Sequence, residues 1–440
     1  MQQGQAPPAS PTAAALSDGA LRVALLAYRG NPHCGGQGVY VRHLSRVLAD
    51  LGHHVEVLSG PPYPDLDERV RLQRVPGLDL YRQPDPFRRP RADELRSWTD
   101  VAEYALMCTA GFPEPLTFSL RAHRALAERR HDFDVVHDNQ CLGTGLLRIQ
   151  APPPHGLGIP VVATIHHPVT VDRRVELAHA PSAQRRLTLR RFYGFTRMQG
   201  RVARRLPRIL TVSQSSLDDI VADHGVAPDR LRVVPVGVDP ARWRPLPGVA
   251  RVRGRLITTA SADVSMKGLA HLLEALAKVR VERPEATLVV VGTLGPHSPV
   301  RRLVQQLGIG AAVRFVTAVS DDDLVRLYAE AEVAVVPSLY EGFSLPAVEA
   351  MSCGVAVVAT TGGALPEVLG TDGRSSVLVN PADAGALAAA IGDLLGDAER
   401  RGALGRAGRR RAFERYTWRA TAEATVEQYR EVIAEVADRC

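Results

Sequence analysis

Two glutamates, Glu341 and Glu349, flank the start of a short apolar helix in the stretch VVPSLYEGFSLPAVEAMSCG, residues 335–354. Ser344 is a favourable N-cap type and Pro346 is tolerated only in a first turn, so the helix is expected to open at Ser344-Leu345-Pro346 and to close at Gly354. Its N-terminus offers unpaired amides and the positive end of a dipole, which suit a polyanion or sugar hydroxyls. An ionised glutamate only accepts hydrogen bonds, so one carboxylate on either side of that pole can hold a polyol. Lys267, in SADVSMKGL at the predicted start of another helix, joins a fixed positive charge to helix-end amides. That pairing suits a diphosphate leaving group, whose charge grows as its bond to a sugar breaks. His166 and His167 end the strand-like run IPVVATIHHPV, and polar residues at the C-terminal ends of parallel strands face the ligand crevice of an open α/β sheet. The plainer alternatives are a loop glutamate, a surface lysine and a structural histidine.

The elements that must position these groups alternate along the chain. LRVALLAY reads as a buried strand and NPHCGGQG as a glycine turn; Val39, Val41, Leu44, Val47, Leu48 and Leu51 then mark one face of a helix, and HHVEVLSG is the next strand. This is the opening βαβ of a doubly wound sheet. Gly35 and Gly36 at that turn let backbone approach a ligand closely. Glu56 invites a dinucleotide reading, but Val41 stands where that fingerprint needs a third small residue. DVVHDNQ, IPVVATIHH, RILTVSQSS and RLRVVPVG continue the first sheet, with His137, Asp138 and Asn139 at one strand end. Residues 61–120 are weakly patterned and are expected to form acceptor-facing loops and helices. A Pro- and Arg-rich run, Arg242 to Arg255, is the predicted hinge. LITTA, TLVVVG, VRFVTAV, VAVVPS, VAVVAT and SVLVN then give a second set of strands, whose valine runs predict a parallel sheet buried on both faces. The expected organisation is a disordered tail over 1–20, one Rossmann-like domain over 21–240, a second over 241–415, and a closing helix over 416–440.

With 440 residues the chain is too long for one ordinary core, and 45% hydrophobic with 23% charged residues is a globular composition. A net charge of +7 points to acidic partners: phosphorylated substrates, anionic lipid or nucleic acid. Five cysteines without C-x-x-C spacing argue for a reducing compartment and no structural zinc. No apolar run spans a bilayer, and the first residues lack a basic secretory n-region, so a cytoplasmic protein is expected. Asp65-Leu66-Asp67 mimics a metal-binding D-x-D but lies far from the other candidates, and reads as surface. The most basic stretch, 173–208, places Arg186, Arg190, Arg197, Arg201, Arg204 and Arg208 near a helical spacing. It reads as a solvated face, an anionic-membrane contact or a holder of a phosphorylated acceptor.

The frame E-G-F-S-L-P-x-x-E-A-M, between an apolar strand and GVAVVATTGGALPEVL, resembles the donor-site signature of retaining GT-B glycosyltransferases of family GT4. The resemblance extends from about Leu21 to the C-terminus. It implies two Rossmann-like domains facing across a cleft, with a C-terminal helix crossing back to the first. It further implies that Glu349 holds the nucleotide ribose, that Glu341 holds the donor sugar hydroxyls, and that amides around Phe343, Ser344 and Leu345 complete the cradle. Lys267 and the Gly35-Gly36 loop would face the donor diphosphate, and His166 the transferred sugar; Gly237 and Asp239 match a loop near the donor. The family usually carries an arginine where this chain has Ala262, beside Ser261 and Asp263, which leaves part of the diphosphate clamp unassigned.

The expectation is therefore a metal-independent, cofactor-free, retaining hexosyltransferase that uses a nucleotide-sugar donor and a hydroxyl acceptor, the latter lipid-linked or phosphorylated on one reading. A sugar-nucleotide epimerase or hydrolase of the same fold is the rival enzyme. A nucleic-acid-binding or scaffolding role lacks aromatic RNA-binding motifs and any helix-turn-helix signature, so no nucleic acid is expected.

Overall fold

The computed structural model describes residues 19–30, 36–82, 85–178, 180–260, 264–295 and 298–438. The N-terminal tail expectation, Gly35 and the Ser261-Ala262-Asp263 segment lie outside the described residues.

Two parallel sheets carry the chain. The first holds β1 (Arg22–Ala27), β2 (His54–Ser59), β3 (Arg71–Arg74), β4 (Val135–Asn139), β5 (Val161–Ile165), β6 (Arg208–Thr211) and β7 (Leu231–Val233), in the order β3-β2-β1-β4-β5-β6-β7. The second holds β8 (Arg255–Thr259), β9 (Thr287–Val291), β10 (Val313–Val316), β11 (Val333–Val336), β12 (Ala356–Thr360) and β13 (Val377–Val379), in the order β10-β9-β8-β11-β12-β13. Both are doubly wound α/β sheets, and each reverses its strand order once, between β1 and β4 and between β8 and β11. Ligands of such sheets bind outside the strand C-termini at that reversal. The uninterrupted burial of VVHDN in β4, VVATI in β5 and AVVAT in β12 follows from helices covering both sheet faces.

The edge strand β3 (RLQR) was not expected, because it has no apolar run; backbone pairing of Glu56 with Arg71 and of Leu58 with Gln73 creates it. The basic stretch is not one helix. It breaks into Thr170–Ala178, Ala183–Phe192 and Thr196–Ala203, with Pro181 between the first two and Ser182 capping the second by accepting from the Arg185 amide at 3.1 Å. The predicted single arginine face is therefore divided. Arg208 leaves it altogether: it opens β6, is 4% exposed, and donates to Gln428 at 2.9 Å and to Glu435 at 2.5 Å.

Those acceptors belong to the helix Trp418–Ala437, which returns to the first sheet and packs on the helix Gly36–Asp50 and on β5 and β6. Its Tyr429 hydroxyl meets His137 Nδ1 at 2.5 Å, and His137 Nε2 meets Thr164 at 2.7 Å. The two crossings between the sheets lie side by side, with Val238 donating its amide to the Tyr416 carbonyl at 2.9 Å. The run Arg242–Arg255 is not a free hinge. Trp243 is buried against Tyr328, Arg242 pairs with Asp321, and Arg251 donates to the Ala331 and Gly354 carbonyls, all on the second sheet's side. No described helix is long and apolar enough to cross a membrane.

Candidate active site

Lys267 and Glu341 sit in the two loops that leave β8 and β11, the neighbouring strands at the second sheet's reversal, and topology alone therefore brings them together. Lys267 Nζ donates to Glu341 Oε1 at 2.7 Å, and the Ser338 hydroxyl donates to the same oxygen at 2.6 Å. Lys267 lies in a 3-10 turn, Ser265–Lys267, just ahead of the helix Leu269–Glu282 rather than inside it. Gly268 separates the two at φ +65°, and a Cβ there would come within 1.9 Å of the Pro337 carbonyl oxygen, so only glycine lets the two loops approach this closely. The Glu341 carbonyl accepts from the Ala364 amide at 2.8 Å, which ties this loop to the turn after β12.

The helix that follows this loop runs Leu345–Ser352. Ser344 occupies its N-cap position, but at φ +83° and ψ 81°. Its hydroxyl makes no capping bond and is buried without a partner, contrary to the capping role expected from its residue type. The helix-end amides are thus left free of a side-chain cap, in a backbone conformation that costs a non-glycine residue about 1–3 kcal/mol. Phe343 turns its ring away into an edge contact with Tyr416, centroids 5.4 Å apart, and offers the loop only its backbone. Glu349 stands half-buried with no side-chain hydrogen bond among the described residues. Burial pushes its carboxyl up to about 8, with the Asp321 charge adding to the rise. A carboxyl that is desolvated and without a protein partner suits ligand hydroxyls.

The first domain supplies His166. Its Nε2–H donates to Asn139 Oδ1 at 2.8 Å, its amide donates to Gln140 Oε1 at 2.8 Å, and its ring packs edge-on to Tyr40 with centroids 4.7 Å apart. Asn139 Nδ2 in turn donates to the Gln37 carbonyl at 3.2 Å, so the glycine-loop end of the helix Gly36–Asp50 shares a network with His166. Burial drives the His166 imidazole down to about 3, with the neighbouring His167 adding to the fall. The ring is neutral at ordinary pH and serves as a hydrogen-bonding group. His137 and Asp138, expected at the crevice, are instead internal: His137 is held by Tyr429 and Thr164, and Asp138 accepts from the Leu142 amide at 2.9 Å. Burial raises the Asp138 carboxyl to about 7. His167 bonds Asp172 at 3.0 Å.

The two halves of the site touch. A Cβ at Gly342 would lie 2.8 Å from the His166 carbonyl oxygen and 3.0 Å from the His167 Cβ. The Gly342 carbonyl accepts from the Ser213 hydroxyl at 2.7 Å and from the Ser216 hydroxyl at 3.3 Å. Ser216 also donates to the His166 carbonyl at 3.1 Å, making it a bracket between the domains. Neither serine was singled out from the sequence; only their place after β6, at a strand C-terminus, signals them. Gly237 and Asp239 serve the crossing instead, Gly237 pressed against Thr417 and Asp239 paired with Arg46 at 3.0 Å. Asp67 is taken by Arg69 at 2.8 Å. Among the described residues no group of three His, Cys, Asp or Glu side chains is arranged to hold a metal ion.

Two family models match the chain: Glycosyltransferase Family 4 over residues 34–242 and Glycosyl transferases group 1 over residues 249–411. The chain is 56% identical over 418 residues to an MMP alpha-(1->4)-mannosyltransferase of Mycolicibacterium hassiacum, covering 95% of this chain and 100% of that one. It is 30% identical over 449 residues to a D-inositol 3-phosphate glycosyltransferase of Acidothermus cellulolyticus, covering 94% and 91%. Among solved structures, a sucrose-phosphate synthase of Thermosynechococcus elongatus superposes with a TM-score of 0.70 at 24% identity over 94% of this chain and 100% of that one, which establishes the GT-B fold. With these matches along nearly its whole length, the chain belongs to the family 4 (group 1) glycosyltransferases of GT-B fold and is a hexosyltransferase.

Proposed function

We propose that this protein is a retaining α-(1→4)-mannosyltransferase, cytoplasmic and independent of metals and cofactors, that moves mannose from a nucleotide-activated donor to the 4-hydroxyl of a sugar acceptor. The single observation that carries the sugar and the linkage is the 56% identity to a mannosyltransferase along that relative's whole length. In this reading the nucleotide ribose hydrogen-bonds Glu349, and the diphosphate lies at the N-terminus of the helix Leu345–Ser352 beside Lys267. Lys267 then exchanges its present partner, Glu341, for the developing phosphate charge, and Glu341 is released toward the mannose hydroxyls. The C1–O bond to the diphosphate breaks while the acceptor oxygen bonds C1 on the same face. The acceptor proton passes to the leaving phosphate oxygen. A histidine neutral down to about pH 3 is suited to orienting the sugar or the acceptor hydroxyl rather than to removing that proton.

The test is product analysis after incubation with GDP-, UDP- and ADP-activated hexoses, with and without mannoside acceptors, in the presence of EDTA. Mannose should be transferred with an α-(1→4) linkage at an undiminished rate. A β-linked product would overturn retention, and loss of activity in EDTA with recovery in Mn²⁺ would overturn metal independence. Donor conversion without acceptor would mark a hydrolase or epimerase.

A further inference from the structure

A cavity of about 340 Å³ opens on the first domain, lined by Arg173, Arg190, Tyr193, Gly194, Thr196 and Arg197. This is at the small end of the range for cavities that enclose small molecules, about 300–1,000 Å³. Breakage of the basic stretch into three helices creates it: Arg173 comes from Thr170–Ala178, Arg190 from Ala183–Phe192 and Arg197 from Thr196–Ala203. Three arginines thus line one space that no carboxylate lines. The acids of the surrounding elements are engaged elsewhere. Glu176 accepts from the Tyr193 hydroxyl at 3.0 Å, Asp172 holds His167 at 3.0 Å, and Asp223 is shared by Thr170 and Arg174. Arg173 Nε is buried with no hydrogen-bond partner, and among the described residues no ion pair reaches Arg173, Arg190 or Arg197. The Thr196 hydroxyl is committed to the Tyr193 carbonyl at 2.8 Å, so the arginines carry the recognition. Arginines gathered around one space without a counter-ion suit the planar, multidentate binding of an oxyanion.

We propose that this cavity binds a phosphate-type oxyanion on a sugar-sized molecule, at a site separate from the donor diphosphate. The helix that carries Arg173 leaves directly from the His166-His167 strand end, so the ligand sits on the acceptor side of the cleft. The same chemistry is supplied by a soluble sugar phosphate or by a phospholipid headgroup. The experiment titrates mannose 6-phosphate into the full-length protein by calorimetry, at low salt and with the donor site saturated by GDP. Plain mannose is the control. We expect phosphate-dependent binding that weakens with added salt, and a loss of about tenfold or more in Arg190→Gln/Arg197→Gln, which removes charge-assisted hydrogen bonds from two exposed residues. Arg173→Gln, a separate variant, should weaken it as well. GDP affinity, measured alone, should be unchanged in every variant. Absence of phosphate-dependent binding, or equal binding by wild type and the double variant, overturns the site. Failure of GDP to bind would instead count against the donor reading and leave the arginine comparison readable. Flotation with phosphatidylglycerol but not phosphatidylcholine vesicles, lost in the double variant, identifies a lipid headgroup as the source. Mannose 6-phosphate binding without flotation identifies a soluble one.

Discussion

Glu349 and the Lys267–Glu341 pair set the ligand-free state of the site. The Glu349 carboxyl is held up to about 8 by burial, so it is largely protonated at neutral pH, whereas in the unfolded chain it ionises near its ordinary value of about 4.3. Folding therefore retains a proton that the unfolded chain releases, and the contribution of this group to stability is lost as pH rises from about 4 through about 8. Glu349→Gln should melt with the wild type at pH 4 and above it at pH 9. If the ribose requires the ionised form, nucleotide binding expels that proton. Affinity for the nucleoside diphosphate should then rise up to about tenfold per pH unit below 8, and calorimetric heats should vary with the buffer's ionisation enthalpy. The Gln variant should lose both dependences, and about 1.5–3 kcal/mol of affinity at pH 9. A pH-independent wild type would take Glu349 out of the site. Lys267→Ala should lower kcat by about 10²–10³-fold, the scale for losing one donor to a developing oxyanion. Because Lys267 and Glu341 share one oxygen contact, combining Lys267→Ala with Glu341→Gln should cost less than the sum of the single changes. Additive losses would show that the two groups act apart.

At the scale of elements, two pieces hold the chemistry in place. Strand β5 ends on His166, whose ring is oriented by Asn139 from the end of β4. His166→Ala should lower turnover more than donor affinity. The wild-type rate should show no inflection near pH 6.5, because burial keeps the imidazole neutral down to about 3. An inflection there would mean that the ring titrates during turnover. The helix Trp418–Ala437 braces the strands from behind. Tyr429→Phe leaves the buried His137 Nδ1 without its partner and should cost about 1–3 kcal/mol in urea unfolding, with kinetics unchanged in the folded fraction.

For the molecule as a whole, activity in the proposed mechanism depends on how closely the loop before the helix Leu345–Ser352 meets the first domain. Gly342 fits against the His166 carbonyl and between Ser213 and Ser216 only because it lacks a side chain. Gly342→Val should push the domains apart without unfolding either one, raising the radius of gyration in small-angle scattering. It should reduce kcat by about 10²-fold, the cost of roughly an ångström of misplacement. Wild-type turnover in that variant would show that the contact is incidental. The +7 charge acts at the same scale: residues 173–208 hold eleven arginines and one glutamate, more than the whole net charge, and there the chain breaks up and gathers three arginines around one cavity.

Much of this was legible from the residues themselves. Apolar runs bounded by glycine and polar turns place twelve of the thirteen strands, and the central ones, such as β4, β5, β11 and β12, are buried throughout because helices cover both of their faces. The exception, β3 (RLQR), exists only because β2 offers it a backbone ladder. The motif around Glu341 and Glu349 is local, so its strand, loop and helix could be placed from sequence. The partners of its residues could not. That Lys267 bonds Glu341 follows from strand order, and that Gly342 meets Ser216 and His166 follows from how the loop after β11 meets the first domain. Residue type likewise misled at Ser344, where loop geometry overrides capping preference, and at Arg208, which spacing put on a solvated face and a returning helix buries among Gln428, Glu431 and Glu435. Local propensity and periodicity decide what each segment becomes. Contacts between residues far apart in the chain decide which side chains face each other, and those exist only once both sheets and the crossing helix have assembled.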